Sequence, residues 1–179
     1  NTRIRQAVDN SSNNIMIADE NRDVVYMNKA VEGMLRNSEN QIKRDLPSFA
    51  VDKVLGGSID RFHKNPAHQM NMLSSLKGTH RAQITLGDST FGLIANPVFS
   101  PDGSRLGTVV EWLDRTDELK ASDAVTGLVA AAGAGNFTQR IATEGKQGFF
   151  LELATGLNQL METSDKGLKD IARVLGAIA

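Results

Sequence analysis

Two of the three histidines of this chain lie five residues apart in one polar stretch, 60–69 (DRFHKNPAHQ). His63 follows Phe62, and His68 precedes an apolar run, so an imidazole at either position would face an apolar interior. A neutral imidazole in an apolar wall is either a core histidine held by a backbone carbonyl or a ligand to a metal or haem iron. From this stretch alone, a core histidine is the more frequent of the two.

Composition excludes several classes of site. The absence of cysteine excludes disulfides, thiolate metal ligands, covalently attached haem and cysteine-based flavin photochemistry. A net charge of -1 gives no electrostatic case for binding nucleic acid or a membrane surface. No window approaches about 18 continuous apolar residues, so we expect no membrane span and a cytoplasmic location. Because the sequence starts at Asn1 without methionine, we expect it to be a fragment of a longer protein.

The residue patterns do not indicate an enzyme. No phosphate-binding glycine loop of the known types is present, and no pair of acidic or hydroxyl residues has a spacing typical of a catalytic dyad. We therefore expect a binding or signalling protein.

Alternation of apolar and polar residues predicts five β-strands, at 14–19, 24–28, 79–86, 90–99 and 105–113. Helices are expected at 29–35, at 39–46 with Ser38 as its N-cap, and from Pro66 to Leu76. This order predicts an α+β domain, with a five-stranded antiparallel sheet and helices on one face. The helical middle would then form the wall of a pocket over the sheet.

Trp112, the only tryptophan, lies on the last predicted strand. It shares a face with Val110, and we expect Phe91 and Leu93 to line the same pocket. A tryptophan in a sheet is most often a core residue, but its indole N–H would be a ready donor to a diatomic ligand bound opposite an iron ligand. His80, at the start of a strand, is expected to be exposed.

After Glu118, alanine and leucine replace the strand-forming residues, and two helices are predicted. The first ends at Gly133 and Gly135, and the second runs from about Gly148 to the end. The second helix carries apolar residues at steps of three and four, with one stutter: Phe150, Leu153, Leu157, Leu160, Ser164, Leu168, Ile171, Leu175 and Ile178. We expect dimerisation into a parallel four-helix bundle, the alternative being a helical hairpin packed on the sheet domain.

The order of elements, the Asn28-Lys29-Ala30 junction and the Asp114-Arg115-Thr116 motif resemble a PAS domain with its signal-output motif. The C-terminal helices resemble a HAMP signal-relay domain. The stretch 62–69, together with Leu93 and Trp112, resembles the haem-binding PAS domain of soluble aerotaxis-receptor-like bacterial chemoreceptors, within the methyl-accepting chemotaxis protein family. The resemblance implies a PAS sensor at 1–116, a linker at 117–121 and a HAMP domain, a four-helix bundle as a dimer, at 122–179.

This resemblance implies a non-covalent haem b whose proximal iron ligand is His63. The other cofactor-binding residues would be Phe62, His68, Leu73, Leu93 and Trp112. Of these, Trp112 and Leu93 would stabilise bound O2, while His68 is a supporting residue or the alternative ligand. Asp114 and Thr116 could pin the strand end to the next helix by side-chain-to-backbone hydrogen bonds, and would carry the output signal.

The implied function is an O2 sensor, with CO, NO and cyanide as alternative ligands. Its partners would be a second copy bound through the HAMP helices, and a downstream kinase-control module with its histidine kinase and adaptor. Two alternatives remain open. One is a flavin-binding, redox-sensing PAS domain, which would not need His63. The other is a cofactor-free PAS domain that acts only in dimerisation and relay.

Overall fold

Five antiparallel strands form a sheet with the order β2-β1-β5-β4-β3. The strands are β1 (Asn14–Asp19), β2 (Val24–Met27), β3 (His80–Leu86), β4 (Ser89–Phe99) and β5 (Arg105–Asp114). Each lies within one residue of its predicted bounds. The predicted sheet is therefore confirmed.

The computed structural model describes residues 2–63 and 76–178, which divide into two units, Asn1–Thr116 and Asp117–Ala179. The helix predicted to begin at Pro66, together with His68 and Leu73, lies outside the described residues.

Helical segments cover one face of the sheet in the first unit. They are α2 (Lys29–Asp45) and two 3-10 helices, Val51–Lys53 and Ile59–Phe62. The N-terminal helix α1 (Thr2–Asp9) has no buried residue. The core forms where α2 and the 3-10 helices bury apolar side chains against the inner face of the sheet. Its fully buried members include Met16, Val24, Val31, Leu35, Ile42, Val54, Phe62 and Phe91.

The helical region after β2 differs from the prediction, which had two short helices separated near Ser38. One continuous helix, α2, is present instead, and Ser38 is buried inside it. Val31, Leu35, Ser38 and Ile42 form one buried face at helical spacing, and a small serine fits that face without ending the helix. The N-cap is Asn28, whose side chain accepts from the backbone N–H of Val31.

The side chain of Asn28 holds three segments of the first unit together. Its Oδ1 accepts from the backbone N–H groups of Ile15 (3.0 Å) and Val31 (3.1 Å), and its Nδ2 donates to the carbonyls of Val8 (3.0 Å) and Asn13 (2.8 Å). The side chain is completely buried, and both ends of the amide are satisfied. Asn28 therefore fixes α1, the start of β1 and the start of α2 to one another.

We expect Asn28→Ala to lower the free energy of unfolding by about 3 kcal/mol, because it removes a helix cap and leaves buried backbone groups without partners. Urea unfolding followed by circular dichroism measures this change. Asn37→Ala, at an exposed position of the same helix, is the matched control and should change stability by less than about 0.5 kcal/mol. Equal effects of the two substitutions would contradict the role of Asn28.

The second unit consists of α3 (Thr116–Gly133), a connector and α4 (Gly148–Ile178). Its core contains Leu128 of α3, Ile141 of the connector, and Ala154 and Met161 of α4. The side chain of Asn158 binds both backbone groups of Ile141, each at 2.8 Å, which fixes the connector on α4. Residues 117–121, predicted to be a linker, are helical here, and Asp117 and Glu118 suit the positive end of the helix dipole.

Most of the predicted apolar seam of α4 is exposed in the single chain. The buried face of this helix uses Ala154 and Met161, which are not part of that seam, together with partly buried Leu157. Seam residues Leu160 and Ile178 are 61% and 78% exposed. Dimerisation through this face therefore stays a prediction. None of the described helices combines the length and apolar character needed to cross a membrane.

Candidate cofactor pocket

A cavity lies between the inner face of strands β3, β4 and β5 and the 3-10 helix Ile59–Phe62. Its described walls enclose about 90 Å³. The walls are mainly apolar, with two imidazoles and one amide: Ile59, Phe62, His63, His80, Ala82, Gln83, Ile84, Leu93, Ala95, Val110 and Trp112. An apolar cavity with few polar groups is typical of a cofactor or small-molecule site.

His63 stands at the end of the 3-10 helix Ile59–Phe62, where its own backbone is extended. The helix begins at Ser58, whose side chain accepts from the backbone N–H of Asp60, and it ends with the N–H of His63 donating to the carbonyl of Asp60 (3.1 Å). Burial lowers the pKa of His63 because it disfavours the imidazolium, and the Asp60 carboxylate opposes this effect. The ring is therefore neutral at neutral pH and has a nitrogen lone pair for a metal.

Trp112 is held in the middle of the sheet by both neighbouring strands. It lies opposite Leu93 on β4 and Asn14 on β1, and its carbonyl accepts from Nδ2 of Asn14 (3.0 Å). The indole packs against the rings of Phe62 and Phe91, with centroids 4.8 and 5.8 Å away. These contacts fix the position of the indole in the cavity wall.

The indole nitrogen of Trp112 is buried and has no hydrogen-bond partner among the described residues. The residue as a whole is only 3% exposed. An unpaired buried N–H costs about 1–3 kcal/mol and is rare in native proteins. A polar ligand atom in the adjoining cavity would remove that cost.

Four of the predicted site residues, His63, Phe62, Leu93 and Trp112, line this one cavity. Phe91, expected beside them, is not among its lining residues and packs in the core against Trp112. Their roles in binding a cofactor stay predictions.

The expectation for His80 was wrong, because His80 is half-buried and lines the cavity. The alternation of β3, which places Ala82 and Ile84 on the inner face, also places His80 there. That pattern was present in the sequence and could have identified it. Ile59 and Ala95 also line the cavity and were not predicted.

The junction after β5 carries the predicted side-chain-to-backbone hydrogen bonds. Asp114 Oδ1 accepts from the N–H of Thr116 (2.9 Å), and Thr116 Oγ1 accepts from the N–H of Thr90 (3.0 Å). The N–H of Arg115 also donates to the carbonyl of Thr90 (2.9 Å). Thr116, the first residue of α3, is therefore bonded to β4 and lies four residues after Trp112.

We expect Thr116→Val to speed hydrogen exchange of the Thr90 amide by about tenfold, since it removes the acceptor and leaves the shape of the side chain. Exchange measured by NMR or mass spectrometry tests this. Thr126→Val, at an exposed position of the same helix, is the control. Unchanged protection of Thr90 in Thr116→Val would show that this hydrogen bond does not hold the junction.

Across residues 2–63 and 76–178, no group of three or more His, Cys, Asp or Glu side chains is placed to bind a bare metal ion. Two imidazoles, those of His63 and His80, line the apolar cavity. One imidazole is enough for a haem site, because the porphyrin supplies four of the ligands to iron.

A family model described as PAS domain matches residues 2–66. The methyl-accepting chemotaxis protein McpB of Pseudomonas aeruginosa is 48% identical over all 179 residues. The chain spans only 26% of the length of that protein.

Two solved structures share the fold. The Aer2 receptor from Vibrio cholerae, described as a dual PAS-haem oxygen sensor, is 29% identical, with a TM-score of 0.53 over 57% of this chain and 93% of that one. A PAS domain from Colwellia psychrerythraea is 14% identical, with a TM-score of 0.50 over 65% of this chain and 97% of that one, which shows the fold alone. The first unit therefore has the PAS fold, and the whole chain is similar to one segment of a methyl-accepting chemotaxis protein.

Proposed function

We propose that this chain is the gas-sensing and relay segment of a chemoreceptor, and that its PAS domain binds haem b through His63. The observation that carries the proposal is that one apolar cavity is lined both by the His63 imidazole and by a buried indole N–H that has no partner among the described residues. The similarity to a PAS-haem oxygen sensor, at 29% identity, supports the same cofactor.

The chemical character of the described lining residues suits a haem, but the volume that they enclose is small for one. The walls are apolar, one neutral imidazole is available, and the buried Trp112 donor lacks a partner among the described residues. Cofactor sites generally enclose about 300–1,000 Å³, however, and these walls enclose about 90 Å³. A porphyrin therefore needs a wider pocket than the described walls provide.

In this proposal the residues of the pocket have different roles in binding the haem and its gas ligand. A haem iron held in this pocket supplies an open coordination position for a diatomic gas. His63 would donate a ring nitrogen lone pair and set the side from which the iron is held. Trp112 would donate its Nε1–H to the gas ligand, and Leu93, directly opposite on β4, would limit the space around that ligand.

The signal would leave the pocket through β5. Trp112 is two residues from Asp114, and the Asp114–Thr116 hydrogen bonds tie the strand end to α3. A ligand that changes the hydrogen bonding of Trp112 would favour one arrangement of this junction over another, which is what coupling of two sites requires.

The similarity to a methyl-accepting chemotaxis protein supports a role in signal relay within a chemoreceptor. In this proposal α3 and α4 act as a HAMP unit, and the exposed seam of α4 pairs with a second copy in the cytoplasm. A kinase-control module, with its histidine kinase and adaptor, would read the bundle. Two packings of such a bundle would give the two output states.

A cofactor-free PAS relay is the second candidate, and the small volume of the cavity favours it. The rings of Phe62 and Trp112 also pack directly against each other, with centroids 4.8 Å apart. In that case the unit would act through its contacts alone.

Trp112 fluorescence separates these candidates, since the chain has no other tryptophan. Titrating purified apo-protein with haemin should quench the emission and reach a plateau at one equivalent per chain. FMN and FAD titrations form the flavin arm. A plateau with a flavin and not with haemin, or no saturable quenching by any of the three, would overturn the haem proposal.

A further inference from the structure

Asp60 carries the other unpaired buried polar atom of the described residues. Its Oδ1 is buried without a hydrogen-bond partner there, while its Oδ2 pairs with Nε of Arg22 at 3.1 Å. The side chain is 17% exposed. A buried carboxylate oxygen without a donor is costly, and the described residues provide no donor for it.

The position of Asp60 relative to His63 suggests that partner. His63 lies three residues after Asp60, directly beyond the end of the 3-10 helix, and its backbone N–H donates to the carbonyl of Asp60 (3.1 Å). Among the described residues no hydrogen bond joins the two side chains, so the imidazole has to turn to form one.

We infer that Asp60 is the positioning residue for His63, accepting through Oδ1 the ring N–H that His63 presents away from the cofactor. This inference rests on the proposed haem site. A histidine that binds a metal through one nitrogen usually donates the other N–H to a carboxylate or carbonyl, which fixes the tautomer and raises the basicity of the ring. Asp60, three residues before His63 in the adjoining 3-10 helix, gives His63 such an acceptor.

Arg22 holds the carboxylate in place. It lies in the turn between β1 and β2, and this turn is bonded to the 3-10 helix by the N–H of Ile59 donating to the carbonyl of Arg22 (2.9 Å) and by the bridge between Asp23 and Ser58. Since Arg22 binds only Oδ2, Oδ1 stays available for His63. A carboxylate that served the Arg22 ion pair alone would not need its second oxygen buried.

Asp60→Asn tests this role because it keeps the shape and removes the charge. The Ser58 hydroxyl still caps the Asp60 backbone N–H, so the helix should form. We expect a lower Fe–His stretching frequency in resonance Raman spectra of the ferrous protein, a higher reduction potential, and haem affinity about tenfold weaker. A tenfold loss of ferric relative to ferrous affinity corresponds to about 59 mV for a one-electron couple.

Asp52→Asn is the matched control. Asp52 also lies in the first turn of a 3-10 helix and pairs with an arginine, Arg36 at 2.8 Å, but its side chain is 79% exposed. It should leave the Raman frequency, the potential and the haem affinity unchanged. Asp60→Glu, which keeps a carboxylate at a longer reach, should shift the frequency in the same direction but less, and it serves as the second variant if Asp60→Asn does not fold.

The outcomes separate this inference from the proposed function. A wild-type protein that takes up no haem overturns both. A wild-type protein that binds haem through His63, with an Fe–His frequency and a potential unchanged in Asp60→Asn and Asp60→Glu, overturns the positioning role alone. Equal shifts in Asp60→Asn and Asp52→Asn would also overturn it, because they would show a general charge effect.

Discussion

His63→Ala is expected to reduce bound haem from about one per chain to less than about a tenth, because no other described residue is proposed to hold the iron. The apolar walls alone would retain a porphyrin only weakly. The haem content is measured from the absorption of purified protein against protein concentration. Added imidazole should restore part of the binding, since it can enter the space that the missing side chain leaves.

The matched control for this prediction is His80→Ala, which removes the other imidazole of the described cavity wall. We expect His80→Ala to keep its haem and its Soret band. Haem also stabilises only the folded state, so it should raise the melting temperature of wild-type protein and of His80→Ala but not of His63→Ala. An unchanged Soret band and full haem content in His63→Ala would contradict the assignment of the ligand.

Trp112→Leu should speed O2 dissociation by about 10- to 100-fold, because a hydrogen bond to a charged or strongly polarised acceptor is worth about 1.5–3 kcal/mol. Trp112→Phe should have nearly the same effect, although it keeps an aromatic ring between Phe62 and Phe91. Both variants lose the Nε1–H donor, but only Trp112→Leu also loses the aromatic packing. A similar effect of the two variants would therefore point to the donor. Stopped-flow mixing with an O2 scavenger measures the rates.

Carbon monoxide provides the control within each variant. It is a poor hydrogen-bond acceptor, so CO dissociation should change much less than O2 dissociation. Equal changes for the two gases would indicate that Trp112 acts by filling space. An O2 dissociation rate within about twofold of wild type in both variants would contradict the donor role.

Sequence periodicity was sufficient to predict the strands and to place Trp112 and Leu93 on the same face of the sheet. Alternation along β4 and β5 fixes which side chains point inward, and the hairpin turns fix the register. The same rule applied to β3 would have placed His80 in the cavity. The prediction failed there because a polar residue at a strand start was assigned to the surface by its type instead of its register.

Other features depended on contacts that a single sequence does not display. The break expected near Ser38 is absent because the buried face of α2 continues through it. The internal face of α4 uses Ala154 and Met161, since the connector residue Ile141 packs against that side and is bonded to Asn158. The buried polar atoms of Trp112 and Asp60, which have no partner within residues 2–63 and 76–178, are likewise properties of the assembled fold.

The absorption spectrum of the purified chain, before and after dithionite and then CO, tests the central claim most directly. We predict a Soret band near about 400 nm that shifts on reduction and shifts again with CO, in amounts that match one haem per chain. A colourless protein, or flavin bands near about 450 nm that dithionite bleaches and CO does not affect, would contradict the haem-sensor account.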